Sequence, residues 1–192
     1  MKKKVDIPDQ QLVTSAKRGD RNAFDLLVIK YQFRVRSIVA KLLRDSDDVD
    51  DVMQETFVSA FRALGHFRGD SQFFTWLYRI AINTAKNYIV SRGRRPPASD
   101  VEFHDAEGGE LVLALSEIET PESSLEVENL KKVIDGAIEA LPADLKTAFT
   151  LREFAGLSYE DITEVMNCPV GTVRSRIFRA RESIDKAIKE LI

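Results

Sequence analysis

The sequence predicts an all-α protein, built as two small helical domains joined by a flexible acidic linker. Three observations carry this. Apolar residues recur at three- and four-residue spacing from about position 9 to 93 and again from about 125 to the end, and no stretch alternates with the period of a strand. Breakers punctuate those runs: Gly19, Gly93-Arg-Arg-Pro-Pro97, Leu141-Pro142, Gly156 and Asn167-Cys-Pro169. Between the runs, Pro97 to Glu128 holds ten acids and no Lys or Arg, without sustained periodicity. The chain thereby divides into residues 1–93, a linker at 94–125, and residues 126–192.

Each element has a local reason. Gln10 to Lys17 reads as a short helix closed by Gly19. The next helix carries Phe24, Leu27, Tyr31, Val35, Ile38 and Leu42 on one stripe. A third runs from about Asp48 to Leu64 with the stripe Val49, Val52, Met53, Thr56, Phe57, Ala60 and Leu64; Asp48, Asp50 and Asp51 sit at its start, where the helix dipole favours anions. A fourth starts after Ser71, a good N-cap, and runs to about Arg92 with Phe74, Leu77, Ala81, Ala85 and Tyr88 inward. Pro96 and Pro97 end it. Leu111 to Leu115 is a brief apolar patch in the acidic stretch and receives no assigned structure. Helical pattern resumes near Leu125.

The bulk numbers bound the class. At 192 residues and 44% hydrophobic, the chain can build ordinary cores for one or two small domains. A single cysteine excludes an internal disulfide framework and suits a reducing compartment. No run approaches the roughly 18 to 20 apolar residues of a membrane span. Asp6, Pro8 and Asp9 follow the basic N-terminus where a signal peptide needs an apolar run. The expectation is a soluble, cytoplasmic protein. A net charge of −3 argues at first against nucleic acid, but taking away the ten acids of Pro97 to Glu128 leaves +7 on the rest of the chain.

Near the C-terminus, Leu157 to Arg181 reads as two short helices joined by a tight turn. Ser158 and Asp161 form a capping box with Asp in place of Glu, opening a helix over Tyr159 to Met166. Pro169 suits the first turn of the next helix. Val170, Val173, Ile177, Ala180, Ile184 and Ile188 make its inward stripe; Arg174, Ser175, Phe178, Arg179 and Glu182 fall opposite. Between Asn167 and Arg181 there are four arginines, including Arg176, and no acid. A merely solvated face mixes both signs. A helix of this size and charge fits a DNA major groove. Cys168, in the turn, reads as a small half-buried residue at a helix start.

Phe67 to Arg79 holds five aromatics in 13 residues. A single ring in such a helix is core by default. Here Trp76, Arg79 and Asn83, with Asn87 and Lys86 nearby, share another face of the same helix. Rings stack bases, amides read edges and cations hold phosphates, which suits unpaired nucleotides. The Phe67-Arg68-Gly69-Asp70 loop offers a pocket for an extruded base. Upstream, Asp45 to Glu55 concentrates six carboxylates in 11 residues. EF-hand spacing with its central glycine is absent, so the reading is a solvated helix start or a docking face for a basic partner. His66 and His104 have no motif partners, and there is no P-loop, nucleophile elbow or zinc spacing. No metal, cofactor or catalytic residue is expected: the chain reads as a binding protein.

Taken together, Asp51-Val-Met-Gln-Glu-Thr-Phe57, Phe67-Arg-Gly-Asp-Ser through Asn83-Thr-Ala-Lys-Asn87, and Cys168 through Arg181 resemble, in order and over nearly the whole chain, a sigma factor of bacterial RNA polymerase. The group is the small extracytoplasmic-function one, of sigma-E type. The resemblance implies that Asp51, Gln54, Glu55 and Phe57 dock on the core polymerase. It implies that Phe67, Arg68, Trp76, Arg79, Asn83 and Lys86 lie where the minus-ten promoter element is opened and a non-template base is captured from the single strand, near Phe67 and Asn83. It implies that Arg174, Ser175, Arg176, Phe178 and Arg179 meet the duplex minus-thirty-five element. The acidic linker would lie in the polymerase's RNA path. An anti-sigma factor, membrane-bound, would hold the protein inactive until envelope stress. Gln72 and Phe74, beside the base-capture loop, depart from the pattern. The linker's roughly 30 residues reach at most about 100 Å, enough for two DNA turns at about 70 Å. The rival of another class is a stand-alone dimeric repressor or activator, for which no dimer seam is visible and which has no use for the aromatic segment.

Overall fold

The computed structural model describes residues 7–43, 45–93 and 121–190, without the side chains of 93 and 121–127. Among them are eight α-helices and no strand: α1 (Asp9–Lys17), α2 (Arg21–Leu42), α3 (Ser46–Ala63), α4 (Phe73–Gly93), α5 (Pro121–Glu139), α6 (Ala143–Glu153), α7 (Tyr159–Met166) and α8 (Val170–Lys189), with a 3-10 turn at Leu64–His66 after α3. The first four belong to the N-terminal domain and the last four to the C-terminal one. The acidic stretch from 94 to 120, with Leu111–Leu115 and His104, lies outside the described residues.

Local chemistry sets the ends. At the close of α1 the Gly19 amide bonds back to Ala16 and the Asp20 amide to Ser15, a Schellman arrangement that needs Gly19 at φ +97°. Asp20 then caps α2 by accepting from the Asn22 and Ala23 amides. Asp45 caps α3 through the Asp47 amide, so that helix starts at Ser46 rather than Asp48. α4 opens at Phe73 and the Trp76 amide bonds to the Gln72 carbonyl, so Gln72, not Ser71, holds the position before the helix. α5 reaches back to Pro121, inside the stretch assigned to the linker. Proline fits a first helical turn because its missing N–H has no partner there.

The stripes predicted for α2 and α3 face inward. Tyr31, Val35 and Ile38 of α2 and Val49, Val52, Thr56 and Ala60 of α3 are buried, while Leu42, Met53 and Phe57 pack at the core's margin. On α4 the buried face is wider than its stripe: Phe73, Tyr78 and Ile82 join Leu77, Ala81 and Ala85, whereas Phe74 and Tyr88 are half-buried. Fully burying a Leu, Ile or Val contributes roughly 1.5–3 kcal/mol each. A second apolar cluster unites Ile138, Leu141, Phe149, Ala180 and Ile184.

The first cluster does not stop at the domain boundary. It continues from Leu77 and Ile82 of α4 to Leu151, Leu157, Ile162, Val165, Val173 and Ile177. α7 lies on α4, and α6 on α2. The two domains are thus packed against each other, an arrangement that local sequence patterns do not specify.

Candidate nucleic-acid interface

Three surfaces gather the residues singled out by sequence. The first is the 67–72 loop with the outer face of α4. The Phe67 amide bonds to the Leu64 carbonyl, and the Phe67 carbonyl accepts from Lys17 Nζ at 2.8 Å. Gly69, at φ +81°, turns the chain. Phe67 itself is only 9% exposed. Its ring lies 5.0 Å from that of Trp76 and 6.0 Å from that of Phe73, and Tyr31 stacks behind Phe73. Phe67 is therefore a buried ring that floors the loop read from sequence as a base pocket. Trp76 is half-buried and packs against the core.

A cleft of about 570 Å³ opens over this floor, lined by Arg68, Gly69, Asp70, Ser71 and Gln72 and by Gln10, Thr14 and Lys17 of α1. Arg68 points to solvent and pairs with Asp70 at 3.3 Å. Along α4, Arg79, Asn83 and Asn87 follow one another at four-residue steps, and all three are exposed. Lys86 sits beside that row and is engaged: its Nζ lies 3.5 Å from Asp144 Oδ1 of α6. The α1 wall of the cleft was not legible in sequence, because Lys17 reaches Phe67 across 50 residues.

The second surface is the pair α7–α8. The Ser158 hydroxyl accepts from the Asp161 amide at 3.0 Å while Asp161 Oδ2 accepts from the Ser158 amide, completing the capping box. Asn167 takes the left-handed conformation at φ 49°, which a short amide side chain tolerates, and turns the chain into α8. Val173, Ile177, Ala180 and Ile184 are buried, as spaced. Val170 departs from its stripe: in the first turn, ahead of the point where α8 meets its neighbours, it is 39% exposed.

Arg174, Ser175, Phe178 and Arg179 all face outward, and Phe178 is 67% exposed. The Arg174 guanidinium lies over the Tyr159 ring at 5.7 Å; Arg152, on the same ring at 4.9 Å, donates to the Leu157 carbonyl at 2.6 Å. Arg176 behaves otherwise. It donates to Asp144 Oδ2 at 2.6 Å and to Cys168 Sγ at 3.4 Å, and it is mostly covered. Arg181 is drawn to Glu153 at 2.5 Å, which raises its pKa above the usual guanidinium value. The acid-free sequence thus hides a division: Arg174 and Arg179 present charge outward, and Arg176 and Arg181 meet acids from α6.

The third surface is α3. Asp51, Gln54 and Glu55 are exposed and Phe57 half-buried. Beside them a groove of about 600 Å³ runs between α2 and α3, lined by Phe24, Val28, Met53, Gln54, Phe57 and Phe61. Phe61, half-exposed, stacks edge-on against Phe24 at 5.0 Å. The carboxylates around it are not uniformly solvated. Asp48 is buried, accepts from the Tyr88 hydroxyl at 2.7 Å and pairs with Arg92, and Asp50 pairs with Arg36. The burial of Asp48 corrects the reading of a helix start wholly open to solvent: its partners come from the end of α4.

Among the described residues no cluster of His, Cys, Asp or Glu is arranged to hold a metal ion, and no helix is long and apolar enough to cross a membrane.

Comparison with known proteins converges on one family. Residues 27–95 match the family described as Sigma-70 region 2, and residues 131–184 match Sigma-70, region 4. The RNA polymerase sigma-H factor of Pseudomonas aeruginosa is 59% identical over 184 residues, covering 96% of this chain and 95% of its own. The ECF RNA polymerase sigma-E factor of Escherichia coli K12 is 56% identical over 186 residues, 97% of each chain. Among solved structures, CnrH in complex with the cytosolic domain of CnrY superposes with a TM-score of 0.68 at 25% identity, over 95% of this chain and 97% of that one. The sigma factor RpoE of Bartonella quintana, solved with the anti-sigma factor NepR, shares the fold at a TM-score of 0.66 and 24% identity, over 86% of this chain and 96% of its own. With both regions present in order and such relatives matched over nearly their whole length, the chain belongs to the sigma-70 family of RNA polymerase sigma factors, in its extracytoplasmic-function group.

Proposed function

We propose that the chain binds core RNA polymerase and directs initiation at promoters carrying two elements, one read by each domain. The observation that carries this is the pairing, in one chain, of two unlike surfaces: the Trp76, Arg79, Asn83, Asn87 row beside the 67–72 cleft, and the Arg174, Ser175, Phe178, Arg179 face of α8. Amides and an aromatic ring suit an unstacked strand. Guanidinium groups on a helix suit the base edges of a major groove. A repressor needs only the second.

Residue roles follow from that pairing. Asn83 and Arg79 contact the melted minus-ten strand, with Arg68 and Lys86 toward phosphate. Phe67 acts beneath them by shaping the cleft. Arg174, Ser175, Phe178 and Arg179 read the minus-thirty-five duplex, and Arg176, tied to Asp144 and Cys168, joins them only if that pair opens. Asp51, Gln54 and Glu55, with Phe57 and the apolar groove behind them, dock on the polymerase. The working division is 1–93, 94–125 and 126–192, with α5 reaching back to Pro121. The protein acts in the cytoplasm, on envelope-stress genes, under an anti-sigma partner anchored in the membrane. The precedent is a fold of this type seen with the cytosolic domain of a second protein. The chain supplies no reaction of its own.

The test is reconstitution. Sigma-free polymerase mixed with this protein should capture it and start transcription at new sites on a randomised promoter library. Capture without new start sites would leave polymerase docking and remove promoter reading; neither would remove both.

A further inference from the structure

The Tyr159 ring is met by two guanidinium groups, Arg152 of α6 at 4.9 Å from its centroid and Arg174 of α8 at 5.7 Å. Arg152 is also bonded to the Leu157 carbonyl at 2.6 Å, so its place does not depend on Arg174. The ring is fixed from the sequence upward. Tyr159 is the first residue of α7, directly after Ser158, and the Ser158–Asp161 capping box sets how that turn leaves the loop. Within the turn the contacts divide: Asp161 Oδ1 accepts from Thr75 Oγ1 of α4 at 3.0 Å, and Tyr159 meets α6 and α8 through the two arginines. The ring is half-buried and packs on the margin of the apolar cluster, which limits its rotation. Arg174 and Arg179 are both exposed on the outer face of α8, but among the described residues Arg179 has no such ring.

From this we infer that Tyr159 is a positioning residue for base reading: its ring holds the Arg174 guanidinium in place before promoter DNA arrives. The inference rests on the promoter reading above. A guanidinium is planar and weakly hydrated, so it lies on an aromatic face more readily than an ammonium does. A free arginine samples many rotamers, and ordering it on a base edge costs conformational entropy. Over the ring, part of that freedom is lost beforehand. Contact through the flat face leaves the N–H edge free, and that edge is what pairs with two acceptors of one base. Arg152 adds a direction. Like charges repel, and Arg152 is tied to Leu157, so the repulsion works on Arg174 and away from α6. A phosphate can be met from many angles, whereas a base edge is met from few. Loss of the ring should therefore appear as lost discrimination at one base pair rather than as a uniform loss of affinity.

The test measures discrimination in the holoenzyme. A duplex that the wild-type holoenzyme selects from a randomised library competes, for each variant holoenzyme, against the same duplex with single upstream base pairs changed. Tyr159→Leu keeps apolar bulk on the cluster and removes the ring. It should lower discrimination about two- to fivefold at the base pair that Arg174→Ala also relaxes, and at no other. Tyr159→Phe keeps the aromatic face and should keep wild-type discrimination. In the Arg174→Ala background Tyr159→Leu should change nothing further, whereas in the Arg179→Ala background its full loss should persist. Tyr159→Met takes its place in case Tyr159→Leu fails to fold. A merely structural role for Tyr159 would weaken binding to all the duplexes alike. A folded ring-less variant that discriminates as well as wild type or better, or that loses as much with Arg174 already removed, would overturn the positioning and leave the promoter reading intact. A holoenzyme that selects no duplex, or an Arg174→Ala variant that relaxes no upstream base pair, would overturn the promoter reading of α8, and the positioning with it.

Discussion

The proposed strand-capture face on α4 and the proposed duplex-reading face on α8 solve the same problem with opposite layouts. On α8, core and function lie back to back: Val173, Ile177, Ala180 and Ile184 go in, and Arg174, Ser175, Phe178 and Arg179 come out. On the 67–79 segment they interleave. Phe67 and Phe73 are buried, Trp76 is shared between core and surface, and Arg68 and Arg79 are exposed among them. A helix that enters a rigid groove needs only a flat outer row. A surface that holds an extruded base needs walls and a floor, and the floor must be core. Substitutions should therefore separate stability from binding along the whole outer row of α8, but in the 67–79 segment only at exposed positions such as Arg68 and not at its rings.

The largest expected effect tests the interleaved side. Phe67→Ala should cost roughly 3–5 kcal/mol of folding stability, as for other buried Phe to Ala changes, read from denaturant unfolding. A loss of DNA binding with stability intact would make Phe67 an exposed contact and erase the contrast. Next, Arg174→Ala should weaken holoenzyme binding to a matched upstream element by about 1–3 kcal/mol and leave unfolding unchanged. Equal losses on matched and mutated elements would reduce Arg174 to a phosphate contact. Ser158→Ala removes the cap of α7 and should cost about 1 kcal/mol of stability; because the box also orients Asp161, it should loosen the contact of α7 with Thr75 as well. The smallest effect belongs to Arg68→Ala. Its ion pair with Asp70 is solvent-exposed, so stability should hold within about 0.5 kcal/mol while minus-ten binding falls. A larger loss of stability would place Arg68 in the framework of the loop.

The same contrast explains what the sequence could reveal. Back-to-back helices announce themselves: the α8 stripe from Val173 to Ile184, the capping box at Ser158 and the turn at Asn167 are all local, and all hold in the structure, with Val170 alone turned out at the helix start. Interleaved segments do not. Spacing favoured Phe74, but its neighbour Phe73 is the buried ring, and adjacent phenylalanines give periodicity no means to choose. Long-range pairing was invisible for the same reason. Asp48 looks like one more acid of a solvated run until Tyr88 and Arg92 arrive from α4. Arg176 looks like its neighbours Arg174 and Arg179 until Asp144 takes it. Composition also put a helix start late: helical pattern resumes near Leu125 in the sequence, yet helix α5 begins at Pro121. Helix existence came from local pattern; partners came from tertiary packing that no window of sequence contains.

The central claim is that two separate surfaces of one chain read two promoter elements. It is tested most directly by transcript sequencing from a randomised promoter library, with polymerase carrying wild type, Arg174→Ala or Asn83→Ala. Arg174→Ala should relax base preference at the upstream element alone. Asn83→Ala should lower initiation from duplex templates and relax the downstream element, with polymerase affinity unchanged. Identical preferences from all three proteins, or a downstream shift caused by Arg174→Ala, would contradict it.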